Sequence, residues 1–154
     1  MSTLVVFAAT PDPFWQLSPR FEADVVEASP WPVVFARDTQ AFIAALPEAT
    51  VIVAYPFAPG SLRRASALRA VHLLSAGIPE GFMKLARERD IEVTTSSGEN
   101  ATVVAEQALL LTMYAIRGVG ALRRWEPHRW QPTKALADLR VVVLGAGPVG
   151  VAIG

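Results

Sequence analysis

The sequence predicts a doubly wound α/β protein, and three observations predict it. Short apolar runs rich in β-branched residues recur along the chain, segments of helical composition separate several of them, and prolines fall mostly between the two. Such runs read as strands buried on both faces, which is how a parallel sheet looks in sequence.

Taken in order, Leu4 to Ala8 is the first strand. The stretch Thr10 to Pro32 is the least readable, and gives only a short helix near Phe14 and a strand at Asp24 to Glu27. Strands follow at Val33 to Ala36, Val51 to Tyr55, Val71 to Leu74 and Ile91 to Thr94, with helices at Thr39 to Leu46, Ser61 to Leu68 and Glu80 to Arg89 between them. Prolines 11, 13, 19, 30, 32, 47, 56, 59 and 79 punctuate these elements, where a fixed φ and a missing amide do least damage.

From Asn100, a residue able to cap a helix, one long helix is expected through Val103, Glu106, Leu110, Met113 and Ile116 to Gly118 and Gly120. It is apolar nearly all round, so it should be covered on several sides and mark a boundary between domains. The Trp-containing segment Arg123 to Thr133 reads as loop, and a last strand at Val141 to Leu144 runs into Gly145-Ala146-Gly147-Pro148-Val149-Gly150.

The 154 residues, 52% of them hydrophobic, suffice for one globular domain of roughly 100 to 150 residues and a remnant. Fourteen basic residues balance fourteen acidic ones, so no net field favours nucleic acid. The absence of cysteine excludes disulfides, thiolate metal sites and a cysteine nucleophile. The longest uncharged apolar stretch, Gln107 to Ile116, falls short of the ~20 residues that span a bilayer, so no membrane partner is expected. The first residues lack the basic flank and cleavage site of a secretory signal, which makes a cytoplasmic location the default. There is no G-x-x-x-x-G-K-[ST], H-E-x-x-H or G-x-S-x-G motif and no pair of histidines at metal spacing, so kinase, zinc-hydrolase and serine-hydrolase chemistry and a metal site lose support.

Two turns carry candidate chemistry. Gly145-Ala146-Gly147-Pro148-Val149-Gly150 is a G-x-G-x-x-G that follows an apolar run and opens a helix, the context in which glycines let backbone amides approach a pyrophosphate. Pro148 suits the first helical position but has no amide, leaving Val149 and its neighbours as donors. The competing reading is a turn whose glycines only permit close packing. The second turn, Ser75-Ala76-Gly77, leaves a strand through small residues that can cradle a carboxylate on exposed amides, or simply connect a strand to a helix.

Single residues carry less. His72 reads as a packed or sheet-face histidine rather than a catalyst, and His128 as solvent-facing. Glu106 should reach a polar partner or mark a crevice. Trp125 and Trp130 read as packing anchors, while Tyr55 and Phe57 either line a pocket or cap the core.

Taken together, Leu73-Leu74-Ser75-Ala76-Gly77, Ile91-Glu92-Val93-Thr94-Thr95, the helix start Asn100-Ala101-Thr102-Val103-Val104-Ala105-Glu106, then Arg117, Trp130 and Leu139 to Gly150 resemble the D-isomer-specific 2-hydroxyacid dehydrogenases. The likeness covers Val51 to Gly154 well and the first fifty residues by layout. The N-x-x-x-V-A-E helix start, about forty residues before the glycine turn, is its most specific part.

The resemblance implies a flavodoxin-like substrate domain over 1–99, an interdomain helix over 100–120, and over 121–154 the start of a Rossmann domain that binds NAD or NADP. It implies hydride transfer between that cofactor and a 2-hydroxy or 2-keto acid. Ser75, Ala76 and Gly77 would hold the substrate carboxylate, while Gly145, Gly147, Pro148, Val149 and Gly150 would face the pyrophosphate. A homodimer is expected for a full-length form.

The family's catalytic arginine, glutamate and histidine, and the acidic ribose-binding residue, are expected beyond Gly154, so this polypeptide is expected to be inactive alone. With the covering elements absent, the helix from Asn100 and the strand Val141 to Leu144 would expose apolar surface and promote self-association. Pro79, Glu80 and Gly81 stand where the family commonly has Gly-Val-Asp, which puts the detailed geometry of the substrate turn in question. The rival reading is a non-enzymatic module binding a small anion or a protein, or the remnant of a decayed gene.

Overall fold

The computed structural model describes residues 2–8, 10, 16–120 and 134–154. These form two compact units, residues 1–97 and 98–154.

The first unit is built on a parallel sheet of β1 (Leu4–Phe7), β2 (Val33–Ala36), β3 (Val51–Ala54), β4 (Ala70–Leu73) and β5 (Glu92–Thr95) in the order β2-β1-β3-β4-β5. Leu4 pairs with Val33 on one side and Val51 on the other, Val51 with Ala70, and Ala70 with Glu92. Strand order reverses after β1, so right-handed crossovers put the β1–β2 connection on one face and the later connections on the other. This is a doubly wound α/β arrangement with the flavodoxin-like strand order.

The expected strands β1 to β5 all form, but burial alternates along β3 and β4 instead of running continuously. Val5, Ile52, Ala54, Val71 and Leu73 point to one face, where α2 (Thr39–Ala45), a 3-10 turn (Pro59–Arg64) and α3 (Phe82–Glu88) supply Phe42, Leu62, Phe82 and Ala86. Phe7 stacks on Phe42 at 4.3 Å, Phe42 meets Phe57 edge-on at 5.1 Å, and Phe57 meets Phe82 at 5.3 Å. Phe57 is therefore a core residue, which settles one of its two readings. The opposite face is less covered, because α1 (Pro19–Ala28) buries no residue.

Two expectations need correction here. The segment expected as a strand at Asp24 to Glu27 lies inside α1: Ser18 caps that helix by accepting from the Phe21 amide at 3.1 Å, and Pro19 opens it. The helix expected at Ser61 to Leu68 is the shorter 3-10 turn, whose Leu62 and Ala65 carbonyls accept from the Arg89 guanidinium. Helix α2 starts at Thr39 as expected, with the Asp38 side chain accepting from the Ala41 amide at 2.7 Å, and α3 starts at Phe82, two residues later than expected. The helix expected near Phe14 lies outside the described residues.

The second unit holds α4 (Ala101–Ile116), a 3-10 turn (Leu136–Asp138) and α5 (Pro148–Ile153). Asn100 stands at the N-cap of α4, but its side chain makes no capping hydrogen bond. The backbone there, at φ −105° and ψ 15°, is outside the extended region from which a cap side chain normally reaches back. Only Ala101 and Ala105 of α4 are buried, while Val103 is 67% and Leu110 60% exposed. Val141 to Leu144 form no strand, and Leu144 is 95% exposed. A strand requires a neighbour to take its amides and carbonyls, and no described segment provides one.

Candidate functional site

The carboxyl ends of β3, β4 and β5 lie side by side, and parallel pairing brings the loops leaving them to one edge of the sheet. In open α/β sheets ligands bind outside the carboxyl ends of the strands, at the point where strand order reverses, here between β1 and β3, and the β4 turn lies at that same end of the sheet. Ser75, Ala76 and Gly77 follow β4 there. The Ser75 hydroxyl donates to the Gly77 carbonyl at 2.8 Å, which closes the turn on itself. The amides of Ala76 and Gly77 donate to no acceptor among the described residues, both residues are exposed, and a Cβ on Gly77 would meet nothing within 4 Å. The turn thus leaves two exposed N–H groups without an acceptor among the described residues, the chemistry that suits a small anion. Beyond it Gly81 adopts φ +74°, a left-handed conformation costly for a residue with a Cβ. Hence Pro79-Glu80-Gly81 serves as the sharp entry to α3, with the Phe82 amide donating to the Pro79 carbonyl at 3.1 Å.

The same end of the sheet carries a group of polar side chains. His72 is a sheet-face histidine, as expected, with Nδ1 2.9 Å from Thr94 Oγ1 and Nε2 3.0 Å from Ser96 Oγ. The run Thr94-Thr95-Ser96-Ser97 was the available signal, since alternate residues at a strand end share one face. Tyr55, at the end of β3, is half-buried, its amide donating to the Phe7 carbonyl at 3.1 Å.

A cleft of about 210 Å³ opens at the carboxyl ends of β1 and β2, lined by Val6, Ala8, Thr10, Leu17, Phe35 and Arg37. Arg37 is paired with Glu22 of α1 by two hydrogen bonds, one of 2.7 Å. That bond first, and the guanidinium charge second, hold the Glu22 carboxyl below its usual range, and the pairing raises Arg37 further. An arginine so committed is a structural clamp between α1 and β2.

In the second unit the glycine turn has a defined local geometry. Gly145 sits at φ +116°, and Gly147 caps α5 with Pro148 at the first helical position. A Cβ on Gly150 would stand 2.0 Å from the Gly145 carbonyl oxygen, so any side chain there would have to move the backbone. Val149 and Gly150 are first-turn residues whose amides have no intrahelical acceptor. Beside them lies a shallow hollow of about 340 Å³, bounded by Val143, Leu144, Gly145, Gly147, Pro148 and Ile153. Gly98, at φ +95°, rests against the Pro148 ring, where a Cβ would approach Cγ to 3.3 Å.

Glu106, expected either to reach a polar partner or to mark a crevice, is instead exposed on α4 and has no ion pair among the described residues. Trp125, His128 and Trp130 lie outside the described residues. No described helix is long and apolar enough to cross a membrane, and no three described Asp, Glu or His side chains are grouped to hold a metal.

The architecture defines a class, the parallel α/β proteins with strand order 2-1-3-4-5, and comparison with solved structures narrows it. The chain is similar to a D-isomer-specific 2-hydroxyacid dehydrogenase from Lactobacillus delbrueckii ssp. bulgaricus in its NAD-complexed form, with a TM-score of 0.73 and 16% identity over 98% of this chain and 49% of that one. It is similar to a D-lactate dehydrogenase from Treponema pallidum, with a TM-score of 0.72 and 19% identity over 98% and 48%. A third neighbour is an NAD-dependent formate dehydrogenase from Staphylococcus aureus in complex with NAD, with a TM-score of 0.64 and 17% identity over 98% and 51%. The chain shares the fold of these dehydrogenases and spans about half their length. No family model matches it, and no curated protein does.

Proposed function

We propose that the chain is part of an NAD(P)-dependent dehydrogenase of the D-isomer-specific 2-hydroxyacid class: a substrate domain over 1–99, an interdomain helix over 100–120, and the start of the cofactor domain over 121–154. The observation that carries this reading is the turn of open amides at Ser75–Gly77, set at the carboxyl end of the parallel sheet in a fold shared with such enzymes. Ala76 and Gly77 bind the carboxylate of a 2-hydroxy or 2-keto acid through their backbone N–H groups, and Ser75 fixes the turn.

The glycine turn fits a nucleotide pyrophosphate. Its close approach at Gly150 leaves no space for a side chain, and Gly147 faces open space. Val149 and Gly150 donate to the phosphates, and Gly145, Gly147 and Pro148 shape the bend that lets them do so. When bound, the nicotinamide supplies or accepts the hydride. What this chain contributes is binding: the Ser75–Gly77 turn holds the carboxylate of one reactant, and the glycine turn holds the pyrophosphate of the other. The acid–base group and the arginine that polarises the substrate are assigned to sequence outside these residues. We place the protein in the cytoplasm, as a homodimer in its full-length form.

Titration of the ¹⁵N-labelled chain with pyruvate tests the reading. The Ala76 and Gly77 amide signals move saturably, and those of β1 stay in place. Movement distributed over unrelated surface amides, or none, would overturn the carboxylate site. A companion assay with NADH or NADPH and a panel of 2-keto acids is expected to give no turnover. Measurable turnover would contradict the assignment of the catalytic groups outside 1–154.

A further inference from the structure

The Ser75–Gly77 turn is braced by a polar cluster that substrate binding does not itself require. His72 in β4 stands opposite Thr94 in β5, on the sheet face away from the phenylalanine core. Its two ring nitrogens meet two hydroxyls, Thr94 Oγ1 at 2.9 Å and Ser96 Oγ at 3.0 Å. A neutral imidazole donates from one nitrogen and accepts at the other, and each hydroxyl can do either, so both tautomers are satisfied. The ring is therefore held at both ends, and it holds Ser96 in turn.

Ser96 reaches the turn through its backbone. Its amide is shared between the Leu73 carbonyl at 3.0 Å and the Ser75 carbonyl at 3.2 Å. Ser75 then donates through its hydroxyl to the Gly77 carbonyl at 2.8 Å. A continuous hydrogen-bonded path thus runs from His72 through Ser96 and Ser75 to Gly77, whose amide is one of the open donors. His72 is only half-buried, so its hydrogen bonds, more than its volume, distinguish it from the valines and leucines around it.

We propose that His72 is a positioning residue: through Ser96 it sets the conformation in which the Ser75–Gly77 turn presents its amides to a carboxylate. The carboxylate rests on the reading given under Proposed function, whereas the bracing of the turn does not.

The test is residue-resolved NMR on the whole 154-residue chain. In His72→Leu, Ser96 amide exchange accelerates about tenfold relative to the core amide of Val71, the order expected for one lost hydrogen bond. The Ala76 and Gly77 signals move in the free protein, and the pyruvate dissociation constant rises about tenfold. His72→Gln, which keeps a donor and an acceptor, restores most of each effect. Ser96→Ala cuts the same path with the ring in place and reproduces the Ala76, Gly77 and pyruvate effects, so the readout survives if His72→Leu does not fold. The double variant does no more than either alone.

Unchanged Ser96 exchange and turn signals would overturn the proposal. So would equal acceleration at Ser96 and Val71, which reports general loss of stability, or a glutamine variant no better than leucine. If pyruvate moves the turn equally in wild type and variants, the positioning role fails and the carboxylate site stands. If no form responds to pyruvate but the turn responds to the substitutions, the carboxylate site fails and the positioning role stands.

Discussion

Residues 2–97 and 98–154 differ in how far their own contacts complete them. In the first unit each strand has its ladder partners, no polar residue is buried among those described, and four phenylalanines link β1, α2 and α3 across one sheet face. In the second, α4 exposes Val103, Leu110 and Leu111, and Val141 to Leu144 extend without a ladder. Yet the glycine turn of the second unit is as locally defined as any part of the first, down to the glycine demanded at 150. Backbone sterics can fix a binding turn over a handful of residues, whereas an apolar strand and helix need neighbours to bury them.

The largest effect that sharpens this contrast comes from the core. Phe42→Ala removes the ring at the centre of the aromatic row and is expected to cost about 3–5 kcal/mol in urea unfolding. Leu144→Ala, at a residue 95% exposed, should stay within about 0.5 kcal/mol. Comparable losses at the two positions would break the contrast.

Next in size is Gly150→Ala, whose Cβ has no space beside the Gly145 carbonyl. We expect chemical shifts to change throughout 143–154 and NAD binding, followed by protein fluorescence, to fall at least tenfold, with the signals of β1 and β3 unmoved. An unperturbed turn would show that the close approach is not a constraint. Arg89→Ala, which frees the Leu62 and Ala65 carbonyls, should cost about 1–3 kcal/mol and raise amide exchange around the 3-10 turn.

The smallest effect concerns Glu22 and Arg37. Arg37 holds the folded-state pKa of Glu22 below its unfolded value, so the pair's stabilisation is present above the ordinary glutamate range and is lost as pH falls through the folded pKa. Glu22→Gln should therefore lower Tm by only about 2 °C or less at pH 7, and the difference should vanish in acid. A difference that grew on acidification would have the wrong sign.

Much of the first unit was legible because β-branched runs of strand length leave few alternatives, and β1 to β5 fall within a residue or two of their expected places. Helix α1 was missed although Ser18-Pro19 supplied both a cap and a first-turn proline. Two adjacent valines, Val25 and Val26, gave the segment a local strand character that the cap outweighed. Val141 to Leu144 shows the reverse, since a strand pattern specifies a strand only when a partner is present.

At the site, the two turns could be found from glycines and small residues. The brace of His72, Thr94 and Ser96 could not be found so directly. Its members are distant in sequence and meet only through the β4–β5 register, which pairs His72 with Thr94.

Residue-resolved amide exchange tests most directly whether one unit is completed by its own contacts and the other only locally. Val5, Ile52 and Val71 are expected to exchange only through global unfolding, while Val141, Val142 and Leu144 exchange within about tenfold of unstructured peptide. Protection at Val141 to Leu144 equal to that of Ile52 would contradict this.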